Sequence, residues 1–548
     1  MPDWQVKKAK DSFCMSATSP SPNAYGYPLL IKQLLTRSSL VSATQEIVSG
    51  SNMRLTYAQL NDRIGQLANA LKASGIGEGM RVGVMDWDTH RYLECFFAVP
   101  MMGAVLHTIN VRLSPAQVLY TINHGQPDLI IVHQDFMPLI DEIKSGFDRD
   151  IIIVPIGNGD GYEDWIGGAP TGFEFPDFDE SRTATLFYTT GTTGNPKGVS
   201  YSHRQLVLHT LGLIAGFGAF PGNAGFHRGD VYMPLTPLFH VHGWGFPYAA
   251  TMMGVRQVYP GRYTPDEVLR LIAAESVTFS HCVPTILAMV LDHPGCPQTD
   301  LSQWKVIIGG AALPRGLQDR AAAAGISLHA AYGMSETCPF LTVADLSSDD
   351  PERQAQTGFP GPLVDLRVVT PDMKDVPHDG ETTGEVVARA PWLTQGYLGN
   401  EQASDELWAG GYLHTGDVGY IRENGSLQIT DRLKDVIKTG GEWISSLALE
   451  NIASACAGVE DVAAIGLPHA KWGERPVLVA QLAKNAEPDQ VRQVILEEFQ
   501  SRADMGDLSK WAVPDRIFFV ERLPRTSVGK LDKKVLRQEI STGADVKS

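Results

Sequence analysis

The sequence predicts a layered α/β protein: a large N-terminal domain followed by a small α+β domain. Three observations support this. Strand-like and helix-like segments alternate from Thr56 to Gly310, the arrangement that builds parallel sheet between helical layers. The composition changes near residue 430, where a charged, glycine-bearing segment reads as a connector. A further stretch of about a hundred residues then shows strands and helices of its own.

The elements follow in order. The first 25 residues, rich in Ser, Pro and Ala, read as a flexible tail. Beyond Thr56, residues Leu60, Ile64, Leu67 and Leu71 fall on one helical face. Thr56 and Gln59 make a capping box, and Gly75 is a stop signal. A strand is expected at Arg81–Asp86, a helix over His90–Ala104, and strands at Asp128–Val132 and Ile151–Pro155. Thr264 with Pro265 reads as a cap with proline at the first helical position. Val277–Val283 and Trp304–Gly310 read as buried strands, the second ending in glycines. The expected domains are residues 26–432 and 433–548.

Composition excludes several classes. The chain has 548 residues, 43% hydrophobic and 20% charged, which rules out wholesale disorder. At ~150 residues per domain this length suggests three or four packed units. The net charge of −17 argues against a nucleic-acid partner, since such binding needs clustered Lys and Arg. The 6 cysteines form no C-x-x-C pair, so no zinc ribbon or redox motif is visible. No apolar run reaches the ~18 residues of a membrane-spanning helix, and no signal peptide is visible. A cytoplasmic protein is expected.

The segment Leu186–His203 is the most informative. A short apolar strand runs into Thr189, Thr190, Gly191, Thr192, Thr193, Gly194, Asn195, Pro196, Lys197 and Gly198. Glycines let backbone N–H groups approach an anion, hydroxyls add donors, and Lys197 adds charge. These are the requirements of a phosphate cradle. The spacing is not that of a Walker A loop.

With this loop the chain resembles the adenylate-forming superfamily: acyl-CoA synthetases, luciferases and peptide-synthetase adenylation domains. The likeness runs from about residue 30 to about residue 540 and looks closest to the medium- and long-chain fatty acyl-CoA synthetases, including the branch acting on 3-methylthiopropionate. It implies ATP, Mg²⁺ and CoA as cofactor and substrates, and a small carboxylic acid as the group activated.

The resemblance also implies roles residue by residue. The phosphate loop, Thr189 to Gly194 with Lys197, would hold ATP. In Ile308–Pro314, Gly310 and Ala311 would line the adenine and acyl sites. In His329–Thr337, Ala331, Tyr332 and Gly333 would face adenine and acyl group, Ser335 the α-phosphate, and Glu336, with Thr189, would bind Mg²⁺. Asp417, in Tyr412–Tyr420, would accept both ribose hydroxyls. Arg432 would touch the ribose and Lys434 would be the hinge. Lys438, Gly440, Gly441 and Trp443 would lie on a loop that enters the site after rotation. Lys530 would be the catalytic lysine. His240 and Trp244, in Pro234–Tyr248, would border the acyl pocket together with Gly310 and Gly333, and His242 stands where asparagine is usual. Gly384–Asn400 also looks familial, but no chemistry is assigned to it.

The implied reaction joins acid to AMP and then passes the acyl group to the CoA thiol, with His240 as a candidate aid to thiol ionisation. A medium-chain fatty acid is the expected substrate. A short thioether acid or an arylpropenoate stays open, as does a non-catalytic adenylate-binding protein. An amino-acid activator would need an aspartate for the ammonium group, and none stands near His240. Likeness to the fatty-acid enzymes makes a homodimer plausible.

Overall fold

The computed structural model describes residues 21–51, 53–157, 161–189, 195–221, 224–439, 442–525 and 531–542. The N-terminal tail as far as residue 20, Thr190–Gly194, Gly440, Gly441 and Lys530 lie outside these residues, as does the side chain of Trp443.

Two large sheets form the body. The six-stranded one runs, in spatial order, Ile152–Ile156, Leu129–His133, Arg81–Met85, Val105–Thr108, Thr183–Thr189 and Lys197–Ser202. All its pairings are parallel except the last, an antiparallel hairpin. The nine-stranded sheet has a parallel centre, from Ser327–Gly333 through Lys305–Ile308, Phe279–Cys282, Val231–Pro234 and Arg256–Tyr259 to Glu46–Ser49. Helices Tyr57–Ala73, His90–Met101 and His203–Gly218 contribute to the core between the layers, their apolar faces almost fully buried. The Thr56/Gln59 capping box is present in both directions. The third helix begins in the same way, with Ser202 and Gln205.

Local differences from the sequence expectations have physical causes. The helix at His90 stops at Met101, because Pro100 and Gly103, at φ +84°, end it before Ala104. A four-stranded antiparallel sheet, Asp365–Val369, Gly384–Arg389, Leu413–Ile421 and Leu427–Arg432, follows the two large layers. The expected connector over Ile429–Trp443 is mostly ladder: Leu427–Arg432 closes this sheet, and Ile437–Thr439 pairs with Glu442–Ile444. Only residues 433–436 join them. Lys438 therefore stands on a strand rather than a loop.

Beyond this join lies a sheet of five strands among the described residues, Glu442–Ile444, Ile437–Thr439, Gly473–Leu482, Val459–His469 and Arg516–Val520. Its two hydrophobic clusters draw only on residues from 437 onward.

Candidate active site

The hairpin of the six-stranded sheet sets the two ends of the expected phosphate loop side by side: its final pair is Thr189 opposite Lys197. The Lys197 ammonium lies 4.4 Å from the centre of the Tyr397 ring. The Tyr397 hydroxyl donates to Glu336 Oε1 at 2.7 Å. Cation, ring and carboxylate thus stand in one row. Burial, with the Glu336 charge beside it, holds the Tyr397 phenol above its ordinary pKa, so it stays a donor. Tyr397 belongs to the segment to which sequence reading assigned no chemistry. Its only sequence signal was an aromatic residue after Gly396, because the contact joins residues 61 positions apart.

Glu336 is 7% exposed and sits in a short 3₁₀ turn, Ser335–Thr337. The turn is fastened from three sides. The Tyr201 hydroxyl donates to the Ser335 carbonyl at 2.6 Å, and the Thr394 amide to the Glu336 carbonyl at 3.0 Å. The Thr337 hydroxyl accepts from the Met334 amide at 2.9 Å. Glu336 offers hard carboxylate oxygen, and Thr189 a hydroxyl on the Lys197 side of the row. This donor set suits Mg²⁺ held jointly with phosphate oxygens, since that ion keeps few protein ligands. Among the described residues no group of three or more His, Cys, Asp or Glu side chains is placed to hold a metal.

Tyr332 turns its hydroxyl to Asp417 Oδ2 at 2.8 Å, and Arg432 Nε lies 3.4 Å from Oδ1. Asp417 and Arg432 face each other in register on neighbouring strands. Burial, with Asp417 beside it, pushes the Tyr332 phenol well above its usual range. Tyr332 therefore orients the carboxylate as well as offering a ring face. The remaining lone pairs of Asp417 can accept from a vicinal diol.

His240, Trp244, Gly310 and Gly333 all line one cleft, partly open to solvent. Ala331, Tyr332 and Ser335 line it as well. Its deeper wall is apolar, with Leu213, Phe217, Phe246, Ile307 and Phe340. Gly333 must be glycine, because a Cβ there would stand 1.5 Å from the Pro339 carbonyl oxygen. At Gly309 the Trp244 ring would lie 3.1 Å from an added Cβ. Ala311 is exposed and does not line the cleft. Lys434 and Lys438 are exposed near the join and do not line it either.

Trp244 is carried by an unusual turn. Val241, His242, Gly243, Trp244 and Gly245 all have positive φ, between 47° and 77°. A left-handed turn costs about 1–2 kcal/mol for each non-glycine residue, so its surroundings must hold it. His242 is fully buried, with the rings of Phe187, Phe96 and Tyr201 at 5.3, 6.0 and 6.1 Å. Burial lowers its pKa to about 3, which keeps it neutral and makes it a packing residue of this turn.

Residues 37–398 match the family described as AMP-binding enzyme, and residues 448–530 match the AMP-binding enzyme C-terminal domain. A long-chain-fatty-acid–CoA ligase of Thermus thermophilus is 37% identical, with 92% of this chain and 94% of the relative covered. A 3-methylmercaptopropionyl-CoA ligase of Ruegeria lacuscaerulensis is 36% identical, with 93% and 97% covered. The crystal structure of the anthranilate CoA ligase AuaEII with anthranoyl-AMP aligns with a TM-score of 0.85 at 26% identity, covering 94% of this chain and 99% of that one. The chain belongs to the AMP-binding enzyme family and is an AMP-forming acid–thiol ligase that uses ATP and CoA.

Proposed function

We propose that the acid activated is a straight medium-chain fatty acid. The observation that supports this is the cleft: polar and glycine-rich where Ser335 and His240 stand, apolar and aromatic toward Phe217 and Phe246. A carboxylate at the first end and an alkyl chain along the second fit this gradient, and chain burial contributes about 0.8 kcal/mol per methylene. A short thioether acid is the second reading, favoured by the aromatic wall of Trp244 and Phe246, against which sulfur packs well.

In this reading the acid's carboxylate attacks the α-phosphorus of ATP and pyrophosphate leaves. The threonine-rich loop and Lys197 hold the phosphates, Asp417 and Arg432 the ribose, and Tyr332 the adenine. Glu336 and Thr189 would hold Mg²⁺, which would supply neutralisation of phosphate charge. Lys530 stabilises the charge that accumulates in the transition state. The CoA thiol then attacks the acyl carbonyl and AMP leaves, with His240 at the carboxylate end of the cleft. The small domain, residues 433–548, turns about Lys434 between the two steps and brings the Lys438–Trp443 hairpin toward the site. The separate hydrophobic clusters beyond residue 437 and the short join support this division.

The test is a pyrophosphate-release screen over straight acids, thioether acids and arylpropenoic acids, each with and without CoA. A maximum at medium straight chains is expected; a maximum at 3-methylthiopropionate or at arylpropenoates overturns the assignment. In Lys530→Ala, adenylation should collapse while thioester formation from preformed acyl-adenylate persists. Normal adenylation in that variant removes Lys530 from the site.

A further inference from the structure

The last described helix, Lys533–Thr542, reaches back across the join. Lys533, 9% exposed, donates to Ser446 Oγ at 2.7 Å and pairs with Glu450 Oε1 at 2.6 Å. The Ser446 hydroxyl donates in turn to Asp431 Oδ1 at 2.9 Å, and its amide donates to Asp431 Oδ2 at 2.5 Å. Asp431 is 2% exposed. Beside this relay, the Ser445 hydroxyl donates to the Thr430 carbonyl at 2.5 Å. One helical turn beyond Lys533, Arg537 pairs with Asp435 at 2.8 Å.

The positions of these groups along the chain give the relay its meaning. Thr430 and Asp431 lie on the strand Leu427–Arg432, before Lys434. Ser445, Ser446, Glu450 and Lys533 all lie after it. Glu450, Lys533 and Ser446 are tied to one another within the small domain. A turn about Lys434 carries them together and takes them off Asp431. The Asp431–Ser446 and Ser445–Thr430 bonds are therefore among the links that such a turn must break. Breaking them exposes a carboxylate and two hydroxyls to water, which solvates them, so the link is reversible where a permanently buried broken pair would not be.

We infer that the Asp431–Ser446–Lys533 relay is a latch that holds the small domain in the arrangement seen here, with Asp431 as a positioning residue for the half-reaction this arrangement serves. The inference rests on the hinge reading given above. A ligase that alternates between two arrangements needs each to be populated, and removing a link present in only one shifts the balance toward the other.

The experiment uses the full-length chain and measures the halves separately: acid-dependent pyrophosphate exchange for adenylation, and acyl transfer to CoA from preformed acyl-adenylate. Asp431→Asn keeps an acceptor for the Ser446 amide but removes the charge. Ser446→Ala removes one hydroxyl and is the milder change, which decides the matter if Asp431→Asn does not fold. The expected result is that one half-rate falls at least fivefold while the other holds or rises, with Ser446→Ala moving both in the same sense and the double variant less than additive. A common factor of loss in both halves, or no change in either, overturns the latch. Lys434→Pro separates the two ideas. If it splits the half-reactions while the Asp431 and Ser446 variants do not, only the latch fails. If it affects both halves alike, the hinge reading fails with it.

Discussion

Tyr397→Phe isolates the residue that sequence reading passed over. The change deletes one oxygen and keeps the ring. The 2.7 Å bond to Glu336 Oε1 is lost, while the face that Lys197 approaches at 4.4 Å remains. A hydrogen bond to a charged group contributes about 1.5–3 kcal/mol. If that bond orients Glu336 for the phosphate end of ATP, adenylation kcat/KM should fall about 10- to 150-fold, at about 1.4 kcal/mol per decade. The Mg²⁺ concentration giving half-maximal rate should rise with it. Tyr397→Leu also removes the ring, adding about 0.5–2 kcal/mol for the lost cation–π contact. Acid-dependent pyrophosphate exchange across a Mg²⁺ titration measures both variants, with thermal unfolding alongside. A Tyr397→Phe enzyme within twofold of wild type, with an unchanged Mg²⁺ profile, would refute the placing of Glu336 at the metal and phosphates.

Three other outcomes are expected. Asp417→Asn keeps an acceptor for the Tyr332 hydroxyl but loses the charge facing Arg432; KM for ATP should rise by about tenfold or more, from about 1.5–3 kcal/mol, with KM for the acid nearly unchanged. Equal rises for both substrates would remove Asp417 from the ribose site. Burial pushes the Asp88 carboxyl up to about 7 from 3.8, so the fold prefers it protonated. The stability this contributes is complete below pH 3.8 and is lost as pH rises to about 7, a swing of up to about 4 kcal/mol at 1.36 kcal/mol per pH unit. Asp88→Asn still accepts from the Leu238 amide, so chemical denaturation should show it gaining on wild type at pH 8 relative to pH 5; equal differences at both would count against this. Gly333→Ala places a Cβ 1.5 Å from the Pro339 carbonyl, so it should cost more than the ~1–3 kcal/mol of ordinary overpacking and abolish acid binding; an active, stable variant would show that the cleft wall yields.

Much of the fold was legible locally. The helix from Tyr57 to Ala73 is specified by its own capping box and apolar face, both of which act within a few residues. The strands Arg81–Met85, Leu129–His133 and Lys305–Ile308 are short apolar runs bounded by turn residues, and each formed where expected to within a residue or two. The four-stranded antiparallel sheet was not legible, because its strands carry polar and charged residues among the apolar ones and its pairings depend on partners elsewhere in the chain. Composition pointed to a change near residue 430, and only the family resemblance pointed to Lys434; the ladders on both sides were hidden. A single exposed charge between buried neighbours, as at Lys438, suits a half-exposed strand as well as a linker.

The site divides in the same way. Sequence alone determined which residue types could cradle phosphate, accept a diol or ligate a hard cation, since those properties belong to the side chains and their nearest neighbours. The family resemblance, not the residue chemistry, grouped His240, Trp244, Gly310 and Gly333 as one acyl pocket, and they line one cleft. Only the tertiary structure put Tyr397 between Lys197 and Glu336, turned the Tyr332 hydroxyl onto Asp417, and drew Lys533 back to Ser446 beside Asp431. Each of these contacts spans tens of residues and exists only because sheets pair and layers pack. That closure depends on the whole chain, and no local spacing encodes it.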